Sequence, residues 1–145
     1  MPAKPIIVDL KYPRKVEAEE IVEVRATVAN YGDEPGPVIV VVGPAEFRGD
    51  KIEVTVYDYK YVPELAPGDT VTVRLYFRFR GEKNLYVVAL TIVRRDEEQV
   101  LVYTDYKALD IEAVEEKPGL PLALLAAVPL VAIPVALAAK ARERK

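Results

Sequence analysis

Two alternating runs contain the side chains whose types and spacing could do chemistry. One is Tyr57, Tyr59 and Tyr61 in "KIEVTVYDYKYV"; the other is Arg74, Tyr76, Arg78 and Arg80 in "DTVTVRLYFRFRG". Residues two apart on a strand project from one face, so each run predicts a stripe. The chemistry such stripes suit is recognition. Tyrosines in a row can form a platform for a glycan or a partner protein. Arginines flanking an aromatic suit anionic lipid headgroups, nucleic acid or an acidic partner. Each stripe also has a plain structural reading. Tyrosine is favoured in strands and pairs across them, and the arginines can pair with acids of a neighbouring strand.

Bond-making chemistry has few candidates. The 145 residues include no His and no Cys. That removes histidine-based triads, thiol nucleophiles, His/Cys zinc sites and haem ligation by these residues. It also removes disulfides, leaving the domain to be held by its core and its ion pairs. Abundant Glu, Lys, Arg and Pro without Cys is a mix common in thermophile proteins. Carboxylates in "NYGDE", "RRDEE" and "FRGD" could offer oxygens to Ca²⁺, but none has the spaced ligand loop that specifies a calcium site. Nothing marks a cleft for a glycosidase acid pair, and no phosphate-cradling glycine loop is present. The "RGD" at Arg48–Asp50 is a three-letter match with little weight. The sequence therefore assigns no catalytic residue, no metal ligand and no cofactor.

The strongest single signal lies near the end. Leu120 to Ala139 is a run of 20 residues without a charged or hydrogen-bonding side chain. As a helix it would span roughly 30 Å, the thickness of a bilayer's hydrocarbon core. Pro129 and Pro134 predict a kinked span, which membrane helices tolerate better than soluble ones. Small residues four apart, Ala123/Ala127 and Ala132/Ala136, would let another helix approach closely. Lys140, Arg142, Arg144 and Lys145 follow the run, with Glu143 among them. Basic flanks stay on the cytoplasmic side.

Residues 1–119 carry 16 Lys+Arg and 22 Asp+Glu, a net of 16 − 22 = −6. This argues against nucleic acid as a partner and places the bulk of the chain outside the cytoplasm. The expected localisation is the cell membrane, as a single-pass protein with its C-terminus inside. The opening "MPAKPIIVDLKYP" does not read as a signal peptide. A removed signal would reconcile it with that topology; a tail-anchored protein with a cytoplasmic domain is the other option.

Period-two alternation dominates residues 1–114 and sets the elements that must position the stripes. Ile6, Val8, Leu10 and Tyr12 share one side of a first strand. In "EEIVEVRATVANYG", Val22, Val24, Ala26 and Val28 oppose Glu23, Arg25 and Thr27. "PVIVVV" is a continuous β-branched run, and "KIEVTVYDYKYV" places Ile52, Val54 and Val56 opposite Glu53, Thr55 and Tyr57. Val71, Val73, Leu75, Phe77 and Phe79 point inward from the arginine strand. "LYVVALTIV" and "QVLVYTDYKALDIEAV" complete about seven strands, with "NYGDEPGP", "GPAEFRGD", "LAPGD", "GEKN" and "RRDEE" as turns. The prediction is an all-β protein: an immunoglobulin-like antiparallel β-sandwich over 1–114, a linker over 115–119, a transmembrane helix over 120–139 and a basic tail over 140–145.

Two families carry resemblances to these features. "EIVEVRATVANYGDEPGPVIVVV" followed by "LAPGDTVTVRLYF" resembles the CARDB-type domains of prokaryotic cell-surface proteins. Asn30, Gly32, Leu65, Pro67 and Gly68 match their Asn-x-Gly and Leu-x-Pro-Gly turns. The whole layout is similar to the beta subunit of the translocon-associated protein complex, with "LTIVRRDEEQVLVYT", "GLPLALLAAVPLVAIP" and "KARERK" in corresponding order. That likeness implies a non-catalytic accessory subunit beside integral membrane partners, a protein-conducting channel among them. The CARDB resemblance implies the alternative, a surface adhesion or glycan- and protein-binding module.

Overall fold

A computed structural model describes residues 2–114 with their side chains, and residues 133–137 as backbone. Every regular element among the described residues is a strand. Three strands form one antiparallel sheet in the order β1-β3-β7: β1 (Pro5–Lys11), β3 (Ile21–Asn30) and β7 (Thr70–Arg78). A larger sheet is built on β4 (Gly36–Arg48), β5 (Lys51–Val56), β6 (Asp58–Leu65), β8 (Leu85–Arg95) and β9 (Glu98–Ala108), with β11 (Ile133–Leu137) along β5. The short strands β2 (Lys15–Glu17) and β10 (Glu112–Val114) pair in parallel.

Alternation explains how the two sheets meet. Val22, Val24, Ala26 and Val28 of β3 and Val73, Leu75 and Phe77 of β7 form one inner face. Val38, Val40 and Val42 of β4 and Val87 and Ala89 of β8 form the other. All belong to one buried cluster, the arrangement of a sandwich whose sheets cover each other's apolar faces. Phe79, Leu75 and Leu85 lie at its centre, almost without exposure.

Three places depart from the predicted strands. "GPAEFR" continues β4 instead of turning, so the turn is confined to Gly49 and Asp50 between Arg48 and its partner Lys51. Gly49 has φ +64°, and it sits at the tip of this two-residue hairpin. Second, β5 and β6 are two halves of one partner of β4. From Ala45↔Val54 to Val42↔Asp58 the register steps three residues along β4 and four along β5–β6. One extra residue is therefore accommodated around Val56 and Tyr57, as in a β-bulge. Gly43 lies opposite this bend, where an added Cβ would stand 1.7 Å from the Thr55 carbonyl oxygen. Third, β9 has its own bulge at Thr104. The Thr104 hydroxyl donates to the Pro5 carbonyl (2.5 Å), and Asp105 Oδ2 accepts from the Ile7 amide (2.9 Å). These bonds stitch β1 of the small sheet to the edge of the large one.

One buried amide organises the loops at one end. Asn30 is 1% exposed. Its Oδ1 accepts from the amides of Lys4 (2.9 Å) and Gly32 (2.8 Å). Its Nδ2 donates to the carbonyls of Glu34 (2.9 Å) and Leu65 (2.8 Å). The Gly68 amide, at φ +81°, donates to the Asn30 carbonyl. The Asn-x-Gly and Leu-x-Pro-Gly segments are thus two halves of one clip, which is structural.

Of the segment read as a membrane helix, residues 120–132 and 138–139 lie outside the described residues. So do the linker and the basic tail with Lys140, Arg142, Arg144 and Lys145, and the packing positions Ala123, Ala127 and Ala132. Among the described residues no helix is long and apolar enough to cross a membrane. Ile133–Leu137, which includes Ala136, is an extended strand antiparallel to β5, with Val135 opposite Val54.

Candidate functional site

The arginine stripe is where alternation placed it. Val71, Val73, Leu75 and Phe77 turn toward the core, while Arg74, Tyr76 and Arg80 are exposed and Arg78 is half-buried. Acids of the neighbouring strand and of the β2–β3 loop meet several of the cations. Glu23 Oε2 lies 3.5 Å from Arg74 Nε and 3.4 Å from Arg25 Nε. Glu19 Oε2 lies 3.7 Å from Arg80 Nε, and the Glu19 carbonyl accepts from Arg78 Nη1 at 2.8 Å. Strand register adds a feature alternation alone does not give. Lys11 stands opposite Arg25, and Arg25 opposite Arg74, so three cations cross the outer face of the small sheet in one row. Like charges directly opposite repel, and one shared carboxylate offsets only part of that.

The tyrosine stripe is broken. The bulge turns Tyr57 to the main core, where it packs against the buried cluster and lies 6.0 Å ring-to-ring from Phe77. Its hydroxyl donates to Glu82 Oε2 at 2.7 Å. Burial first, then the bond to this carboxylate, pushes the Tyr57 hydroxyl well above the ordinary tyrosine range. Tyr57 is therefore a support residue. Tyr59 and Tyr61 remain on the opposite side, more than half exposed.

The face that Tyr59 and Tyr61 share is the outer surface of the large sheet. They sit opposite Val41 and Ile39, which stand opposite Val88 and Leu90. Leu90 in turn faces Tyr103, and Val88 faces Tyr106. Beside them Ala45, Ile52 and Val54 complete a second apolar cluster, separate from the inter-sheet core. An aromatic group edges it. Ring to ring, Phe47 lies 5.2 Å from Tyr86 in edge-on geometry and 4.8 Å from Tyr106 in tilted geometry. From Ile39 to Phe47 on β4, and from Tyr86 to Ile92 on β8, the side chains on this face are uncharged. A monomer's outer sheet face is ordinarily polar. The sequence carried the signal in "PVIVVV" and "LYVVALTIV", whose unbroken apolar runs are those of strands covered on both faces.

An open cleft of about 380 Å³ lies at the β3–β4 end, lined among others by Pro2, Glu34, Pro37, Thr91 and Arg94. The Thr91 hydroxyl is engaged with the Pro37 carbonyl at 2.7 Å, so its proton is committed to the fold. Among the described residues no group of three or more Asp or Glu is placed to hold a metal ion.

Residues 2–42 match the alpha-2-macroglobulin family. The match runs through β1, β2 and β3 and into β4, and that family is neither of the two that the sequence resembles. No curated protein matches the chain.

Proposed function

We propose that this chain is a non-catalytic accessory subunit of a membrane protein complex, similar in role to the translocon-associated beta subunit. In this reading an immunoglobulin-like sandwich is carried at the outer surface of the cell membrane by a span over 120–139, and it binds integral membrane partners rather than nucleic acid or a cofactor. The observation that carries the reading is the exposed aromatic rim of the large sheet's outer face, where Phe47, Tyr59, Tyr61 and Tyr106 stand exposed around a buried, uncharged cluster. Exposed aromatic side chains, tyrosine above all, are enriched where proteins bind one another. The sequence supports the rest: no His and no Cys for catalysis, and a charge-free run with a basic flank. The linker of five residues, 115–119, would hold the sandwich close to the bilayer, which favours docking beside another membrane protein.

Extraction in a mild detergent tests this. The expected result is a stoichiometric membrane partner, retained in wild type and lost when Tyr59 and Tyr61 are both replaced by Glu. Replacing Ala127 and Ala132 by Leu should weaken the same complex through the span. Extraction as a lone monomer that binds polysaccharide would favour the adhesion module instead.

A further inference from the structure

We infer that the β5 edge, with the apolar outer face beside it, is an internal dock for the chain's own C-terminal apolar segment, which it holds whenever that segment is not in the bilayer. The inference builds on the membrane-anchored reading. Three observations carry it. First, among the described residues β5 is an edge strand except for β11: its remaining neighbour is β4, and Ile133–Leu137 supplies the ladder on the free side in register from Val56 to Ile52. Addition of an extended segment to an open edge is a general recognition mode, with main-chain hydrogen bonds giving affinity. Second, Ile52 and Val54, the β5 residues on the outer face, are 0% exposed, as is Val88 beside them. The inter-sheet core lies on the other side of the sheet, so a second apolar layer is required over this face. Third, the only charge-free run of that length in the sequence is Leu120–Ala139, and its residues Ile133–Leu137 are the ones that form β11 at this edge.

The same segment therefore has two apolar destinations. Insertion into a bilayer would satisfy its backbone as a helix, because hydrocarbon offers no partner to an open edge. Insertion would then withdraw β11 and bare β5 together with the outer face. The dock shields both the segment and the face before insertion, and it links anchoring to exposure of the partner-binding surface. An uncovered apolar edge strand in water invites aggregation, which the dock prevents.

The chain has no native Cys, so engineered pairs report contact without background. Glu53→Cys with Ala136→Cys places two thiols directly opposite in the ladder, and Thr55→Cys with Pro134→Cys does so independently. Opposed residues of antiparallel strands lie about 4.5–5.5 Å apart at Cα, within disulfide range. Both positions on β5 alternate away from Ile52 and Val54, so the apolar face stays intact. Glu53→Cys with Val135→Cys, one residue out of register, is the control. The full-length protein is oxidised free of lipid, and again after addition of phosphatidylcholine–phosphatidylglycerol vesicles, with flotation scored in parallel.

The expected result is cross-linking of both in-register pairs without lipid, little in the control, and loss of cross-linking in the floated fraction. Absence of cross-linking without lipid, in protein whose circular dichroism shows intact strand, overturns the dock while flotation still reports on anchoring. Undiminished cross-linking in floated protein overturns the competition between dock and bilayer. Cross-linking in protein that never floats upholds the dock and instead refutes the membrane-anchored reading.

Discussion

Replacing Asn30 by Ala removes four side-chain hydrogen bonds while leaving the backbone bonds of residue 30 to Gly68 and Asp69 in place. The Leu65 carbonyl is in the buried part of this site, and losing its donor costs about 2 kcal/mol. The bonds to Lys4, Gly32 and Glu34 are part-buried, so water replaces them partly, at about 0.5–1 kcal/mol each. The expected loss is about 4 kcal/mol, lowering the midpoint of thermal unfolding by about 10–20 °C for a domain of this size. Asn30→Asp sharpens the test. It keeps an acceptor for the two amides but sets a carboxylate oxygen against two carbonyls, so it should cost at least as much as Ala. Urea unfolding followed by circular dichroism measures both. A loss under about 1 kcal/mol for Asn30→Ala, or a near wild-type Asn30→Asp, would refute the assignment of the Asn-x-Gly motif to a load on the fold.

Other perturbations separate support from surface. Because the fold holds the Tyr57 proton more tightly than the unfolded chain does, its contribution is complete below the ordinary tyrosine value and declines as pH rises through the higher folded value. Stability should therefore fall above about pH 10, and Tyr57→Phe should flatten that slope in urea titrations across pH. At neutral pH the same variant loses its bond to Glu82, costing about 1–2 kcal/mol. Gly43→Ala forces a methyl group onto the Thr55 carbonyl, and a cost of about 2–3 kcal/mol or more is expected in thermal unfolding. Arg74→Ala removes an exposed ion pair and should change stability by less than about 1 kcal/mol, as read in the same assay.

Much of the sandwich is legible in the sequence because its signal is local. The alternation of Val22 to Val28 and of Val71 to Phe79 predicts the inner face of the small sheet, and the structure places those side chains there. The bulge at Tyr57 was not legible. Alternation gives Tyr57 the same face as Tyr59 and Tyr61, and one inserted residue reverses it through a register that only pairing with β4 defines. Pro44 masked the far half of β4, since Gly-Pro reads as a turn, yet it lies within the strand, opposite Leu85. The row Lys11–Arg25–Arg74 depends on the register of three separate strands, which composition does not encode. The outer apolar face had a local sign in its unbroken runs. Its aromatic rim joins Phe47, Tyr86 and Tyr106 from three strands, so only the assembled sheet reveals it.

Protease accessibility on intact cells tests the central claim most directly, that this sandwich is displayed outside the membrane on a C-terminal span. The account predicts that added protease removes the domain and leaves a membrane-embedded fragment carrying Lys140 to Lys145. Complete protection of the domain until the membrane is permeabilised would contradict it.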